Sequence, residues 1–112
     1  MPRYFLTLPD PAAARGPDPE LSFTAQSPDG FAAALQAALR TPALYELWRA
    51  RQPDPEAVDA SLGAIDPTAH VEGRQRSLSI DLEVDTNLPG PIVRTRLRWL
   101  AGSNWQLRDV RN

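Results

Sequence analysis

Cysteine and lysine are both absent from this chain of 112 residues, and histidine occurs once, as His70. Without cysteine the protein has no disulfide, no thiol nucleophile and no cysteine-ligated metal. One histidine among scattered carboxylates fits no defensible metal-ligand spacing, so we predict no metal ion and no cofactor. His70 could serve as a general base. Because it lies in a polar stretch between Asp66 and Glu72, a surface histidine without a catalytic role is the interpretation we favour.

Long apolar runs are missing as well. No segment has the length and hydropathy of a signal-peptide core or a membrane span. There is no glycine-rich phosphate loop, and a Ser-His-Asp arrangement would depend on His70 alone. We therefore expect a bacterial protein located in the cytoplasm. We assign no catalytic residue and leave open whether the protein is an enzyme.

Neither sign of charge dominates. All twelve basic residues are arginine, which a genome rich in G and C explains more simply than selection for planar arginine contacts does. Residues 1–73 hold 5 arginines against 10 acids, and residues 74–112 hold 7 against 4. The net charge of −2 lacks the basic excess of typical nucleic-acid-binding proteins. Nucleic acid is therefore not an expected partner.

The first two thirds of the chain combine strand and helix signals. Apolar alternation predicts two paired strands, and helical periodicity with proline at the helix starts predicts three helices. The predicted elements are a strand, a proline-rich loop, a second strand, three helices and an irregular segment, over residues 3–8, 9–19, 20–26, 31–39, 42–52, 55–62 and 64–74 respectively.

In the last third of the chain, apolar alternation predicts a three-stranded antiparallel meander over residues 75–110. Apolar residues occupy even positions in 77–85 and odd positions in 93–99, and a third strand covers 105–110. With these elements, the chain is predicted to form one α+β domain over residues 1–112, of order ββαααβββ. A mostly antiparallel sheet would have the helices packed on one face and a charged face towards water.

On that outward face the predicted register brings acids opposite arginines. The predicted pairs are Glu83 with Arg94 and Asp81 with Arg96. This pairing favours a salt-bridged sheet surface over a divalent-cation site or a phosphate-binding surface. Arg98 is left beside Arg108 without an acid across from it, so these two arginines become candidate binding residues.

The end of the chain resembles the closing hairpin of many NTF2-like domains. Those hairpins often consist of a strand, a turn containing glycine and a strand of pattern Trp-x-apolar-x-Asp-apolar. The matching residues here are Gly102, Trp105, Leu107, Asp109 and Val110. The resemblance covers about the last third of the chain. NTF2-like domains usually open with helices, whereas this chain is predicted to open with strands, so neither a ligand cavity nor a functional residue is transferred.

Two functional hypotheses follow. The first is a non-catalytic protein-interaction or adaptor module, in which the partner could be a second copy of the chain. The alternative is a small-molecule-binding or enzymatic domain with an NTF2-like C-terminal hairpin and a pocket between helices and sheet, near Trp48, Trp99 and His70. The candidate binding residues are Arg98, Arg108, His70 and Trp48.

Overall fold

A four-stranded antiparallel sheet forms one layer of the protein, and helices lie on one of its faces. The computed structural model describes residues 2–112. The strands are β1 (Arg3–Leu8), β2 (His70–Arg76), β3 (Ser79–Asp85) and β4 (Gln106–Arg111). The helices are α1 (Pro28–Arg40), α2 (Ala43–Ala50) and α3 (Gly90–Ala101). The α+β class and the antiparallel sheet are as predicted, but the order of elements is not.

The strands lie in the spatial order β2-β3-β1-β4. Helix α1, followed by the short α2, connects β1 to β2, and α3 connects β3 to β4. This is the split βαβ connectivity of ferredoxin-like domains. The topology supports many unrelated functions and therefore carries no functional argument by itself.

Strands β1 and β3 have the alternation that the sequence predicts. Tyr4, Leu6 and Leu8 are buried on β1, opposite Val84, Leu82 and Ile80 of β3 in antiparallel register. Their odd-numbered neighbours point to the other face. These two central strands supply most of the apolar sheet surface against which α1 and α3 pack.

The predicted meander is wrong because its middle strand is the helix α3. Pro89 and Pro91 flank the start of this helix, where the missing amide hydrogens cost no intrahelical bonds. The buried residues Ile92, Val93, Arg96, Leu97 and Leu100 follow the helical period. The predicted pairs of Glu83 with Arg94 and Asp81 with Arg96 therefore do not form, and a helix followed by a strand replaces the hairpin that resembles NTF2-like domains.

Arg96 illustrates the correction most clearly, because its side chain is fully buried instead of facing water. Its guanidinium donates to the carbonyl oxygens of Leu62 and Ala64 at 2.8 Å each. It also lies 5.2 Å from the ring of Trp99. Burial lowers the pKa of Arg96, and the carbonyl partners satisfy its hydrogen-bonding groups.

Three further predictions of secondary structure are wrong. Residues 20–26 form no strand; this segment crosses the end of α3, where the amide of Phe23 donates to the carbonyl of Leu100 at 2.9 Å. The segment predicted as irregular, 64–74, contains most of β2. Apolar alternation does not reveal this strand, because Val71 is its single buried residue. The predicted third helix consists of two short 3₁₀ turns, Pro55–Ala57 and Ala60–Gly63.

Candidate functional site

The face of the sheet opposite the helices, here called the open face, is crossed by a groove of about 390 Å³. Four arginines and four acids line the groove, so its formal charge is zero. Because side chains alternate along each strand, every second residue of all four strands contributes to this surface. The open face therefore includes the largest part of the strands' charge.

The register divides the open face into rows that run across the strands. From β2 to β4, the acidic row consists of Glu72, Glu83, Phe5 and Asp109. The Arg3 row consists of His70, Asp85, Arg3 and Arg111, and the Arg74 row of Arg74, Asp81, Thr7 and Gln106. Arg108 is the extra residue of an irregularity in β4, where Phe5 pairs with Asp109 and Leu6 with Leu107, and it reaches the Arg74 row through its side chain alone. The side chain of this extra residue reaches Thr7 Oγ1 at 3.4 Å.

Arginines neutralise the acids in two of the rows. Arg3 Nε lies 2.7 Å from Asp85 Oδ1, and this hydrogen bond raises the pKa of Arg3. Arg76 contacts both oxygens of Asp81, at 2.9 and 3.0 Å. Asp81 also accepts a hydrogen bond from Thr7 at 2.8 Å. These acids are therefore engaged within the protein.

Other charged side chains in the groove have no ion-pair partner in the described part of the chain. Among the residues that the structure describes, Glu83, Arg74 and Arg108 have no oppositely charged group within 4 Å. Glu72 Oε1 lies 3.1 Å from His70 Nε2, and no arginine of the described chain lies within 4 Å of the Glu72 carboxylate. Glu72 and Glu83 stand directly opposite each other on β2 and β3. Like charges in this position destabilise a sheet, so the fold itself gains nothing from this pair.

Phe5 is the aromatic residue of the open face, and it already holds a guanidinium group. The Arg111 guanidinium lies 5.1 Å from the centroid of the ring, within the range of cation–π contacts. Arg111 Nε also lies 2.7 Å from Asp109 Oδ2, and this hydrogen bond lowers the pKa of Asp109. A ring with a carboxylate beside it thus binds a cation at one end of the acidic row.

Both edges of the sheet have features that oppose pairing with another strand. On β2 the amide of Val71 donates to Gln36 Oε1 of α1 at 3.0 Å, so this edge group is occupied. On β4 the irregularity at Arg108 and the charges of Asp109 and Arg111 have the same effect. A partner therefore has better access to the open face than to either edge.

The structure separates the residues that the sequence suggests for binding. Arg108 lines the groove. His70 begins β2 and lies outside the groove lining, with Nε2 3.1 Å from Glu72 Oε1. Arg98 is on α3, in the helical layer, where its Nη2 donates to Thr95 Oγ1 at 3.0 Å. Arg98 and Arg108 are therefore not neighbours, because the segment between Gly90 and Ala101 is helical.

Trp48, the fourth candidate, belongs to a separate aromatic cluster. Its ring stacks on that of Trp99 with 4.6 Å between centroids, beside a crevice of about 210 Å³. Leu21 and Arg51 also line the crevice. Trp48 and Trp99 thus lie beside the same crevice, whereas His70 is not part of its lining.

Sequence reasoning missed the groove's central residues Phe5, Glu72 and Arg74. The last two fall in the segment predicted as irregular, and Phe5 lies in the first predicted strand, to which no binding role is assigned. The sequence of β1 does contain a signal for Phe5. Side chains alternate along a strand, so if the even positions of β1 are buried, the odd positions, including Phe5, must face outward. Which residues join them on the neighbouring strands depends on strand order, which the sequence did not reveal.

Within residues 2–112, no group of three histidine, cysteine or acidic side chains is placed to hold a metal ion. None of the helices in the described part of the chain has the length and hydropathy needed to cross a membrane. Comparison with protein-family models, with curated proteins and with solved structures found no match to this chain. The candidate site therefore has to be judged on its own geometry.

Proposed function

We propose that this protein is a non-catalytic interaction module that binds a partner protein through the open face of its sheet. The observation that carries the proposal is the set of charges in the groove that have no ion-pair partner within the described chain, namely Glu83, Arg74 and Arg108. Uncompensated charges at fixed positions give specificity and accelerate association more than they add to fold stability.

The zero formal charge of the groove supports a protein as the partner. A nucleic acid presents one sign of charge, and its binding surfaces carry a basic excess. Here each arginine lies within one row of an acid. A protein surface with both signs of charge can satisfy such an arrangement, whereas a polyanion would meet the carboxylates of the acidic row.

The first prediction concerns Arg108→Glu. The tagged wild-type protein is used to recover partners from a cell extract, and we expect Arg108→Glu to lose the specific partner because the reversed charge repels its acidic group. Recovery is measured by quantitative mass spectrometry. Light scattering tests in parallel for a homodimer that the same substitution dissociates.

Arg94→Glu is the matched control, since it makes the same charge change at an exposed position of α3 in the helical layer. The control should retain the partner. Equal recovery by the wild type and both variants would contradict the proposal, as would a strictly monomeric protein with no specific partner.

A second candidate function is small-molecule binding at the crevice beside Trp48 and Trp99. The stacked rings at 4.6 Å and the crevice of about 210 Å³ favour a small, flat ligand over a large one. The prediction is that such a ligand shifts the indole NH signals of Trp48 and Trp99 in an NMR metabolite screen and leaves Trp105 unchanged. If the signals of Trp48 and Trp99 do not move across a broad library, this function is rejected.

A further inference from the structure

Arginine neutralises the acidic row only in part. Glu72, Glu83 and Phe5 are consecutive across β2, β3 and β1, and their neighbour on β4 is Asp109. Only Asp109 has an arginine, Arg111, and that arginine also lies over the Phe5 ring. The chain therefore shows how a guanidinium group is held at one end of the row, while the two glutamates at the other end have no arginine within 4 Å.

The neighbouring Arg74 row has the opposite excess. Its one acid, Asp81, is already bound by Arg76 and Thr7. Arg74 and Arg108, on the two sides of the groove, are without a carboxylate within 4 Å in the described chain. A negative group above this row would lie between two free guanidinium groups.

The two rows are two residues apart along β1, β2 and β3, or about 6.8 Å. Side chains at positions i and i+2 of an extended peptide are separated by the same distance and point to the same side. A peptide that runs along the strands can therefore place one side chain over each row. Free basic amino acids could also span the two rows, but the lining of the groove comes from all four strands and the rows repeat the strand period, which favours a peptide.

We propose that the groove receives an extended segment of the partner protein with an arginine and an acidic residue two positions apart. The arginine lies against Glu72 and Glu83, and the acidic residue lies between Arg74 and Arg108. This inference rests on the function proposed above and specifies the chemistry of the partner.

The test uses two acetylated, amidated nine-residue peptides in a serine and glycine background. One peptide carries an arginine and a glutamate two positions apart, and the other carries them at adjacent positions, which point to opposite sides of an extended chain. Binding is followed by NMR titration of the isotope-labelled protein. We expect the first peptide to shift the amide signals of Phe5, Glu83 and Arg74 and to bind about three- to tenfold more tightly than the second.

The variant Glu83→Gln separates a binding role from a structural one. It removes one of the two carboxylates that repel each other at Glu72 and Glu83, so the urea midpoint of unfolding should stay the same or rise. Its affinity for the first peptide should nevertheless fall by about three- to tenfold, because the cation loses a carboxylate. The matched control is Glu46→Gln, at an exposed position of α2, which should leave the affinity unchanged.

Equal affinity for the two peptides, or unchanged affinity in Glu83→Gln, would overturn this inference. The proposed function would still stand if Arg108→Glu abolished recovery of the partner while neither peptide bound, because the partner would then contact the open face through a different pattern. The peptide titrations thus test the arginine and acid pattern, and partner recovery with Arg108→Glu tests the use of the open face.

Discussion

At the scale of single residues, burial decides what a charged side chain does. Arg96 was predicted to pair with an acid on the surface, yet it is fully buried and binds carbonyl oxygens of the segment around Leu62 and Ala64. Asp66 was considered only as a neighbour of His70. It is buried too and holds the segment before β2 against the segment after β3. Both residues stabilise connections that have no regular secondary structure.

Asp66 supports a prediction on the pH dependence of stability. Its carboxylate accepts hydrogen bonds from Thr68, from Thr86 and from the amide of Asn87, and these bonds, that of the Thr68 hydroxyl first, lower its pKa to about 2. A lowered pKa adds stability above the unfolded-state value, and this contribution is lost as the pH falls from about 4 towards about 2.

We expect Asp66→Asn to lower the free energy of unfolding at pH 7 by about 1–3 kcal/mol, because donors are left without an acceptor. The difference from the wild type should shrink as the pH approaches 2. Urea unfolding at a series of pH values measures both effects. The exposed Asp54→Asn is the control, and an Asp66→Asn curve parallel to the wild type at all pH values would refute the assigned role.

At the scale of elements, the distinction between helix and strand decides which residues share a surface. The residues from Gly90 to Ala101 alternate in polarity like a strand, but Val93, Leu97 and Leu100 also fit one side of a helix. Tertiary packing selects the helix, because it covers the apolar face of β1 and β3. The same choice removes Arg98 from the neighbourhood of Arg108.

Strand β2 has an inward position that only glycine can occupy, and this gives a prediction at the same scale. A Cβ atom on Gly73 would lie 2.3 Å from the carbonyl oxygen of Pro28, at the start of α1. We expect Gly73→Ala to lower the free energy of unfolding by about 1–3 kcal/mol, since the helix and the strand must move apart. Chemical denaturation measures the change.

Gly90→Ala is the matched control, because its Cβ would meet Tyr4 only at 3.7 Å, an ordinary contact distance. This variant should unfold within about 0.5 kcal/mol of the wild type. If both variants unfold alike, the close approach of Pro28 to β2 is not a constraint on the fold.

At the scale of the whole molecule, the split βαβ connectivity creates the candidate site. The two connections that contain helices both cross the same face of the sheet, so the other face stays open. Strands distant in sequence are brought side by side: β1 from the N-terminus lies between β3 and β4. The groove, with its acidic row and its free arginines, exists only in this arrangement.

The sequence by itself determined the α+β class, the strands β1 and β3 with their buried faces, and the last strand β4. Helical periodicity and capping indicate the helices, and apolar alternation indicates the strands. These patterns are sufficient because each involves only residues that are a few positions apart in the sequence. The tertiary structure decided that residues 90–101 are helical, that 70–76 form an edge strand and that Arg96 is buried. The tertiary structure also decided which charges meet on the open face. Strand order and the burial of charged side chains depend on contacts between segments that are distant in sequence, and a local sequence pattern does not encode such contacts.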